Sequence, residues 1–134
     1  MTHDINIHHE DNHESASSYL VEEIRNLLVN SNRDFSIGLS GGNTPKLTYS
    51  MMAEKFDDLS KTYLWTIDDR WIEEDNDLSN QRMINEYFER TDANILKFEF
   101  TSSSPESDAK KYEDKLKSTI QIFDVAILGM GEDG

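Results

Sequence analysis

Apolar side chains recur at helical spacing in several stretches of this chain. In the first stretch, Ala16, Leu20, Ile24, Leu27 and Leu28 fall on one face, with polar residues elsewhere, which is typical of an amphipathic helix. The same spacing, together with helix start and stop signals, predicts the other helices of the chain. The predicted helices span residues 14–31, 45–55, 79–90 and 105–118.

Two of these helices follow residues that favour a helix start. Thr44 is predicted to cap the second helix, with Pro45 as its first residue, because proline has no N–H group to leave unpaired there. Ser104 and Pro105 stand in the same order at the start of the fourth helix. Local chemistry therefore supports these two boundaries in addition to the spacing.

Short apolar runs alternate with the predicted helices. They predict strands at residues 35–39, 62–68, 96–100 and 123–129. Strands that alternate with helices imply right-handed crossovers and a mostly parallel sheet. The sequence therefore predicts an α/β fold, a Rossmann-like sheet flanked by helices and truncated after a glycine-rich βα loop.

The first 13 residues hold all 4 histidines of the chain and have no clear periodicity. We interpret residues 1–13 as a flexible N-terminal arm with solvent-exposed histidines. The weak alternation of Ile5 and Ile7 leaves an edge strand at residues 4–9 as the alternative. The whole of residues 1–134 is interpreted as a single, incomplete domain.

The acidic composition narrows the range of partners. Lysine and arginine total 13 and aspartate and glutamate total 27, so the formal net charge is −14. Such a surface disfavours nucleic acids and anionic membranes. It leaves room for an anionic small molecule, because distant charges are screened over roughly 8 Å at physiological salt. With no cysteine and no apolar run of about 18 residues, we expect a cytoplasmic protein.

The loop after the first strand is the first candidate site. Gly41 and Gly42 allow the backbone to approach a ligand, and the helix start that follows offers N–H groups and the positive end of its dipole. Ser40, Asn43 and Thr44 add side-chain donors. The loop therefore suits a phosphate group, and the alternative is a capped turn that binds no ligand.

The second candidate site lies at the end of the second strand. Asp68 and Asp69 point to opposite faces if the strand persists, so one is expected to reach a ligand while the other holds a loop. Arg70 can bind a phosphate or a carboxylate through two N–H groups. The alternative is a surface loop with a local salt bridge.

The glycine-rich end of the chain is the third candidate site. Asp133, between Gly131 and Gly134, could orient a histidine or take part in proton transfer. The alternative is a frayed terminus. An exposed strand at 123–129 would also be a free sheet edge, which predicts some self-association of the chain.

In this order, the three stretches resemble motifs of the 6-phosphogluconolactonase family, within the larger group that includes glucosamine-6-phosphate deaminases. The glycine-rich phosphate loop of the family is similar to residues 38–45. Its Asp-Glu-Arg motif and later Ser-Asn are similar to residues 68–70 and 79–80, with Asp in place of the usual Glu. Its Leu-Gly-x-Gly-x-Asp-Gly-His motif is similar to residues 128–134.

Two residues favour a lactonase over the sister group. Deaminases usually carry tyrosine at the positions of Arg70 and Asn80. The resemblance therefore implies hydrolysis of 6-phosphoglucono-δ-lactone to 6-phosphogluconate in the oxidative pentose phosphate pathway, with no metal or organic cofactor. The alternatives are a glucosamine-6-phosphate deaminase or isomerase, and a regulatory module that binds sugar phosphate without catalysis.

The resemblance also implies roles for individual residues. The glycine-rich loop and Asn80 would bind the phosphate, and Arg70 would neutralise either the phosphate or the developing oxyanion. Asp133 would orient the general-base histidine that follows Gly134 in the family. Asp68, which aligns with the proton-transfer aspartate of deaminases, would hold sugar hydroxyls. Because that histidine is not in this chain, we expect the chain to be inactive by itself.

Overall fold

Helices and strands alternate along residues 3–131, the part of the chain that this computed structural model describes. They are α1 (His13–Val29), β1 (Phe35–Leu39), α2 (Lys46–Lys55), β2 (Thr62–Thr66), α3 (Asn80–Phe88), β3 (Asn94–Leu96), α4 (Pro105–Thr119) and β4 (Val125–Ile127). The strands form one parallel sheet in the order β3-β2-β1-β4. The predicted α/β class is confirmed. None of the helices in this part of the chain has the length and apolar character needed to cross a membrane.

The register of the sheet brings two loops to the same edge. β1 lies between β2 and β4, and Leu39 at the end of β1 pairs with Thr66 at the end of β2. The backbone N–H of Ile67 then donates to the carbonyl of Leu39 at 3.0 Å, which extends the alignment by one residue. The loops that follow β1 and β2 therefore start side by side.

The core lies on one face of the sheet. Alternate residues of β1 point to this face, as the period of two along a strand requires. They pack with the apolar faces of α1, α2 and α3, and fully burying one such side chain contributes roughly 1.5–3 kcal/mol. The central members of this cluster are Val21, Ile24, Ile37, Leu39, Tyr49, Met52, Leu64, Ile84 and Phe88.

α4 contacts the end of β2 through a buried tyrosine. The hydroxyl of Tyr112 accepts from the backbone N–H of Thr66 and donates to its carbonyl, both at 2.9 Å. Burial raises the pKa of Tyr112, so the hydroxyl stays protonated and can donate. The Thr66 side chain donates to the carbonyl of Asp68 at 2.6 Å, and this turn ends β2 two residues before the predicted boundary.

A buried aspartate on α4 anchors the loop after β2. Asp108 accepts hydrogen bonds from Trp71 Nε1 at 3.0 Å, from the Thr101 N–H at 2.8 Å and from Thr101 Oγ1 at 2.6 Å. These donors favour the charged carboxylate and lower the pKa of Asp108 to about 2. Trp71 also packs against Phe100, with ring centroids 5.1 Å apart.

Other predicted boundaries also differ from the structure, and α1 (His13–Val29) and α3 (Asn80–Phe88) both end two residues before their predicted ends. α2 begins at Lys46 with Pro45 at the cap position, and no side chain in the described residues caps it, so Thr44 is not the N-cap. The predicted strand at 96–100 lies earlier, at Asn94–Leu96 (β3). The chain leaves the sheet after Leu96, because the Phe98 N–H donates to the side chain of Gln81 on α3 at 2.9 Å. The predicted strand at 123–129 shortens to Val125–Ile127.

The alternative of an edge strand at residues 4–9 is also wrong. Residues 3–12 contain neither helix nor strand, and Ile5 and Ile7 are 87% and 77% exposed. His8 stacks on Tyr19 of α1, with ring centroids 3.4 Å apart. The weak alternation in this segment therefore does not correspond to pairing with the sheet.

The Asp108 cluster predicts a pH-dependent stability. Because the pKa of Asp108 lies below its ordinary value, its contribution to folding is present above pH 4 and is lost as the pH falls toward about 2. Asp108→Asn should lower the melting temperature by several degrees at neutral pH. One of the two carboxylate oxygens is then replaced by an NH2 group, which cannot accept hydrogen bonds from Trp71 or Thr101. The difference between wild type and variant, measured by thermal unfolding from pH 7 to pH 2, should shrink over that acidic window. A constant difference would contradict this assignment.

Candidate functional site

The loops after β1 and β2 meet the start of α3 at the carboxyl edge of the sheet. This is the edge where parallel sheets bind ligands. A cleft of about 490 Å³ opens there, and its lining includes Gly42, Asn43, Lys46, Arg70 and Asn80. The structure therefore brings together the first two candidate sites.

The two glycines of the loop differ in what surrounds them. A Cβ atom at Gly41 would overlap the carboxamide of Asn80, so a protein side chain already fills that space. Gly42 has φ +92°, a conformation that favours glycine, and a Cβ atom there would meet nothing within 4 Å. The space beside Gly41 is thus filled by the protein itself, whereas the space beside Gly42 is open.

The start of α3 is satisfied from within the protein. Asp69 accepts from the backbone N–H groups of Asn80 at 2.7 Å and Gln81 at 2.9 Å. Ser79 Oγ accepts from the N–H of Arg82 at 3.1 Å. A carboxylate at a helix start also interacts favourably with the helix dipole. Asp69 is therefore the aspartate that holds a loop, as one of the pair was predicted to do.

The start of α2 differs from that of α3, because within residues 3–131 no side chain caps it. Asn43 and Thr44 are exposed beside it, and the N–H of Lys46 makes a long turn contact of 3.3 Å with the carbonyl of Asn43. The remaining N–H groups of the first turn keep the partial positive charge of a helix start. The other two helices that begin at this edge, α3 and α4, are capped by side chains, α4 by Ser104, so α2 is the one whose start an anion can use.

Arg70 is exposed at the rim of the cleft. Its Nη1 donates to Asn80 Oδ1 at 3.0 Å. Among the described residues, no carboxylate forms a salt bridge with Arg70 or with Lys46. Arg82, which also lines the cleft, is bound by Asp77 at 2.7 Å and by Glu86 at 2.9 Å. Two cations of the cleft therefore keep donors for a ligand.

Asp68 and Ser40 have opposite environments. The Asp68 side chain is exposed, while its backbone carbonyl accepts from Asn80 Nδ2 at 3.0 Å. Ser40 Oγ is buried and has no hydrogen-bond partner among residues 3–131. The Ser40 carbonyl accepts from the hydroxyl of Tyr49 at 2.7 Å, and burial raises the pKa of Tyr49 to about 12. The expectation that the Ser40 hydroxyl faces a ligand is therefore not met, whereas the Asp68 carboxylate is accessible.

Lys46 is the cleft residue that the sequence reasoning missed. Its signal was its place directly after Pro45, in the first turn of a helix that begins at the candidate loop. Asp133, which the sequence analysis placed in the third candidate site, lies outside the described residues.

Comparison with known proteins gives consistent matches. A family model for glucosamine-6-phosphate isomerases/6-phosphogluconolactonase matches residues 8–134. A 6-phosphogluconolactonase of Thermotoga maritima is 36% identical over 123 residues, which are 87% of this chain and 56% of that protein. A 6-phosphogluconolactonase of Synechocystis is 34% identical over 110 residues, which are 74% of this chain and 46% of the relative.

Solved structures agree with these matches. A 6-phosphogluconolactonase from Shewanella baltica superposes with a TM-score of 0.84 at 29% identity, over 93% of this chain and 56% of that one. A monomeric glucosamine-6-phosphate deaminase has a TM-score of 0.77 at 18% identity and therefore shares the fold. The chain spans about half the length of the curated relatives it matches.

The two adjacent aspartates predict unequal effects on stability. Asp69→Ala should lower the free energy of unfolding by about 1–2 kcal/mol, because two N–H groups at the start of α3 lose their acceptor. Asp68→Ala is the matched control and should change it by less than about 0.5 kcal/mol, because an exposed carboxylate is removed. Urea unfolding followed by circular dichroism measures both. Equal losses would contradict the capping role of Asp69.

Proposed function

The chain belongs to the glucosamine-6-phosphate isomerase/6-phosphogluconolactonase family, as its motifs predict, and on this basis we propose that the protein hydrolyses 6-phosphoglucono-δ-lactone to 6-phosphogluconate. The observation that carries the proposal is a cleft in which three features lie together: the start of α2, which no side chain of residues 3–131 caps, the open side of Gly42, and Arg70, which forms no salt bridge within those residues. Relatives that bear the name 6-phosphogluconolactonase, at 34% and 36% identity, support the same activity.

The 6-phosphate group binds at the start of α2 in this proposal. The N–H groups of the loop and the first helical turn donate to its oxygens, and the helix dipole favours its charge. Arg70 and Lys46 supply full positive charges from the rim of the cleft. The two acidic residues that line the cleft, Asp77 and Glu86, both bind Arg82, and salt screens the rest of the net charge of −14 beyond roughly 8 Å.

The hydrolysis needs an activated water and stabilisation of a tetrahedral oxyanion. The general-base histidine that follows Gly134 in the family takes a proton from water, whose oxygen adds to the lactone carbonyl carbon. The ring ester bond then breaks, and the ring oxygen takes that proton and leaves as a hydroxyl group. Binding the phosphate at the opposite end of the sugar holds the carbonyl in place for this attack. In this proposal Asp68 faces the sugar hydroxyls, and Asp133 orients the general-base histidine that follows Gly134 in the family.

The sister activity of the family is less compatible with this cleft. Arg70 and Asn80, where deaminases usually carry tyrosine, form a hydrogen-bonded pair beside the glycine loop. A sugar phosphate lactone is therefore the proposed small-molecule partner. The proposed pathway and the acidic, cysteine-free composition also favour a cytoplasmic enzyme that does not bind nucleic acid.

Loss of the Arg70 guanidinium tests the binding mode. In the protein at its full natural length, Arg70→Ala should lower kcat/KM for the lactone at least about tenfold, because a two-pronged contact to an anion is removed. Arg25→Ala removes the same charge from the cleft at the opposite edge of the sheet and should leave kcat/KM unchanged. Equal values for wild type and Arg70→Ala would contradict the role of Arg70.

Two substrates separate the activities of the family. The full-length protein should accelerate decay of 6-phosphoglucono-δ-lactone above its spontaneous rate and should release no ammonia from glucosamine 6-phosphate. Ammonia release would show a deaminase. Calorimetric binding of 6-phosphogluconate with neither activity would show a regulatory module.

A further inference from the structure

We propose that Asn80 is a positioning residue that fixes Arg70 against the glycine loop, and that Gly41 is a glycine because the Asn80 carboxamide occupies the place of its side chain. This inference rests on the proposed anion site in one respect only, the role of Arg70 in binding. Asn80 itself is 6% exposed, so it acts through its neighbours rather than by covering the ligand.

The hydrogen bonds of Asn80 define the orientation of its carboxamide. Oδ1 accepts from Arg70 Nη1 at 3.0 Å, and Nδ2 donates to the Asp68 carbonyl at 3.0 Å. A guanidinium can only donate and a carbonyl can only accept, so the two ends of the amide are not interchangeable. The backbone N–H of Asn80 is held by Asp69 at 2.7 Å. Each end of the residue is therefore fixed by a different part of the loop after β2.

The contact with Gly41 ties this assembly to the other loop. A Cβ atom at Gly41 would overlap the Asn80 carboxamide. The φ angle of Gly41 is not in the positive region, so its backbone conformation would accept an alanine. The requirement for glycine at this position therefore comes from the contact with Asn80. Gly42 differs, because its own φ of +92° favours glycine.

Pre-positioning of Arg70 has a consequence for binding. A free arginine side chain loses rotamer freedom when it binds an anion, and that loss reduces affinity. An arginine that is already hydrogen-bonded in the apo protein loses less. Asn80 also accepts with a neutral amide, which leaves the positive charge of Arg70 available to the ligand, whereas a carboxylate would neutralise it.

A double-mutant cycle on binding tests the link between Asn80 and Arg70. Calorimetry on the full-length protein uses 6-phosphogluconate, with gluconate as the control that lacks the phosphate. Arg70→Ala should weaken binding at least about tenfold and Asn80→Ala at least about fivefold. The double variant should bind within about twofold of Arg70→Ala, because Asn80 acts through Arg70. The proposal would be overturned if Asn80→Ala bound with wild-type affinity. It would also be overturned if the loss of affinity in the double variant equalled the product of the two single losses.

A second cycle tests the packing without any ligand. Gly41→Ala should lower the melting temperature in the wild-type background and should have a much smaller effect in the Asn80→Ala background, where the overlap is relieved. The same loss in both backgrounds would overturn the explanation for Gly41.

The two cycles separate failure of this proposal from failure of the proposed function. Wild-type protein that binds neither 6-phosphogluconate nor gluconate would overturn the proposed function and the link from Asn80 to ligand affinity. The melting temperatures of the Gly41 cycle would still decide whether the Asn80 carboxamide is the reason for glycine at position 41.

Discussion

The two hydrogen bonds from the start of α3 to the Asp69 carboxylate are the contacts on which this edge of the sheet depends. They fold the loop after β2 back onto α3, and this brings Asn80 against Gly41. The same contacts occupy the positive end of α3 with an internal anion. The start of α2, directly beside it, has no such cap from any side chain of residues 3–131. One carboxylate therefore both shapes the cleft and occupies the start of α3, which leaves the start of α2 as the proposed ligand site.

The two arginines that line the cleft differ in the charge of their hydrogen-bond partners. Arg82 is bound by acidic neighbours, while Arg70 is bound by a neutral amide and keeps its net positive charge. In a chain with a net charge of −14, this pairing leaves a local positive charge at Arg70, where we propose that the anion binds. A sugar phosphate would thus be selected by a few local donors, and the remaining acidic surface would repel larger polyanions.

The sequence predicts the elements that depend on local chemistry and fails where distant residues decide. β1 and the glycine turn after it are predictable, because apolar runs and glycines are local signals. β3 is not, because Phe98 bonds to a glutamine on α3 instead of to the sheet. It was also predictable that one of the two adjacent aspartates, Asp68 or Asp69, holds a loop. The contact between Gly41 and Asn80 was not, because it joins segments that are far apart in the sequence.

A crystal structure of the protein with 6-phosphogluconate tests the central claim most directly. The account predicts that the phosphate group lies at the start of α2, within hydrogen-bond distance of backbone N–H groups beside Gly42 and of the Arg70 guanidinium. It also predicts that Arg70 keeps its contact with Asn80 when the ligand is bound. A phosphate group bound at another surface, or an Arg70 side chain turned away from it, would contradict the account.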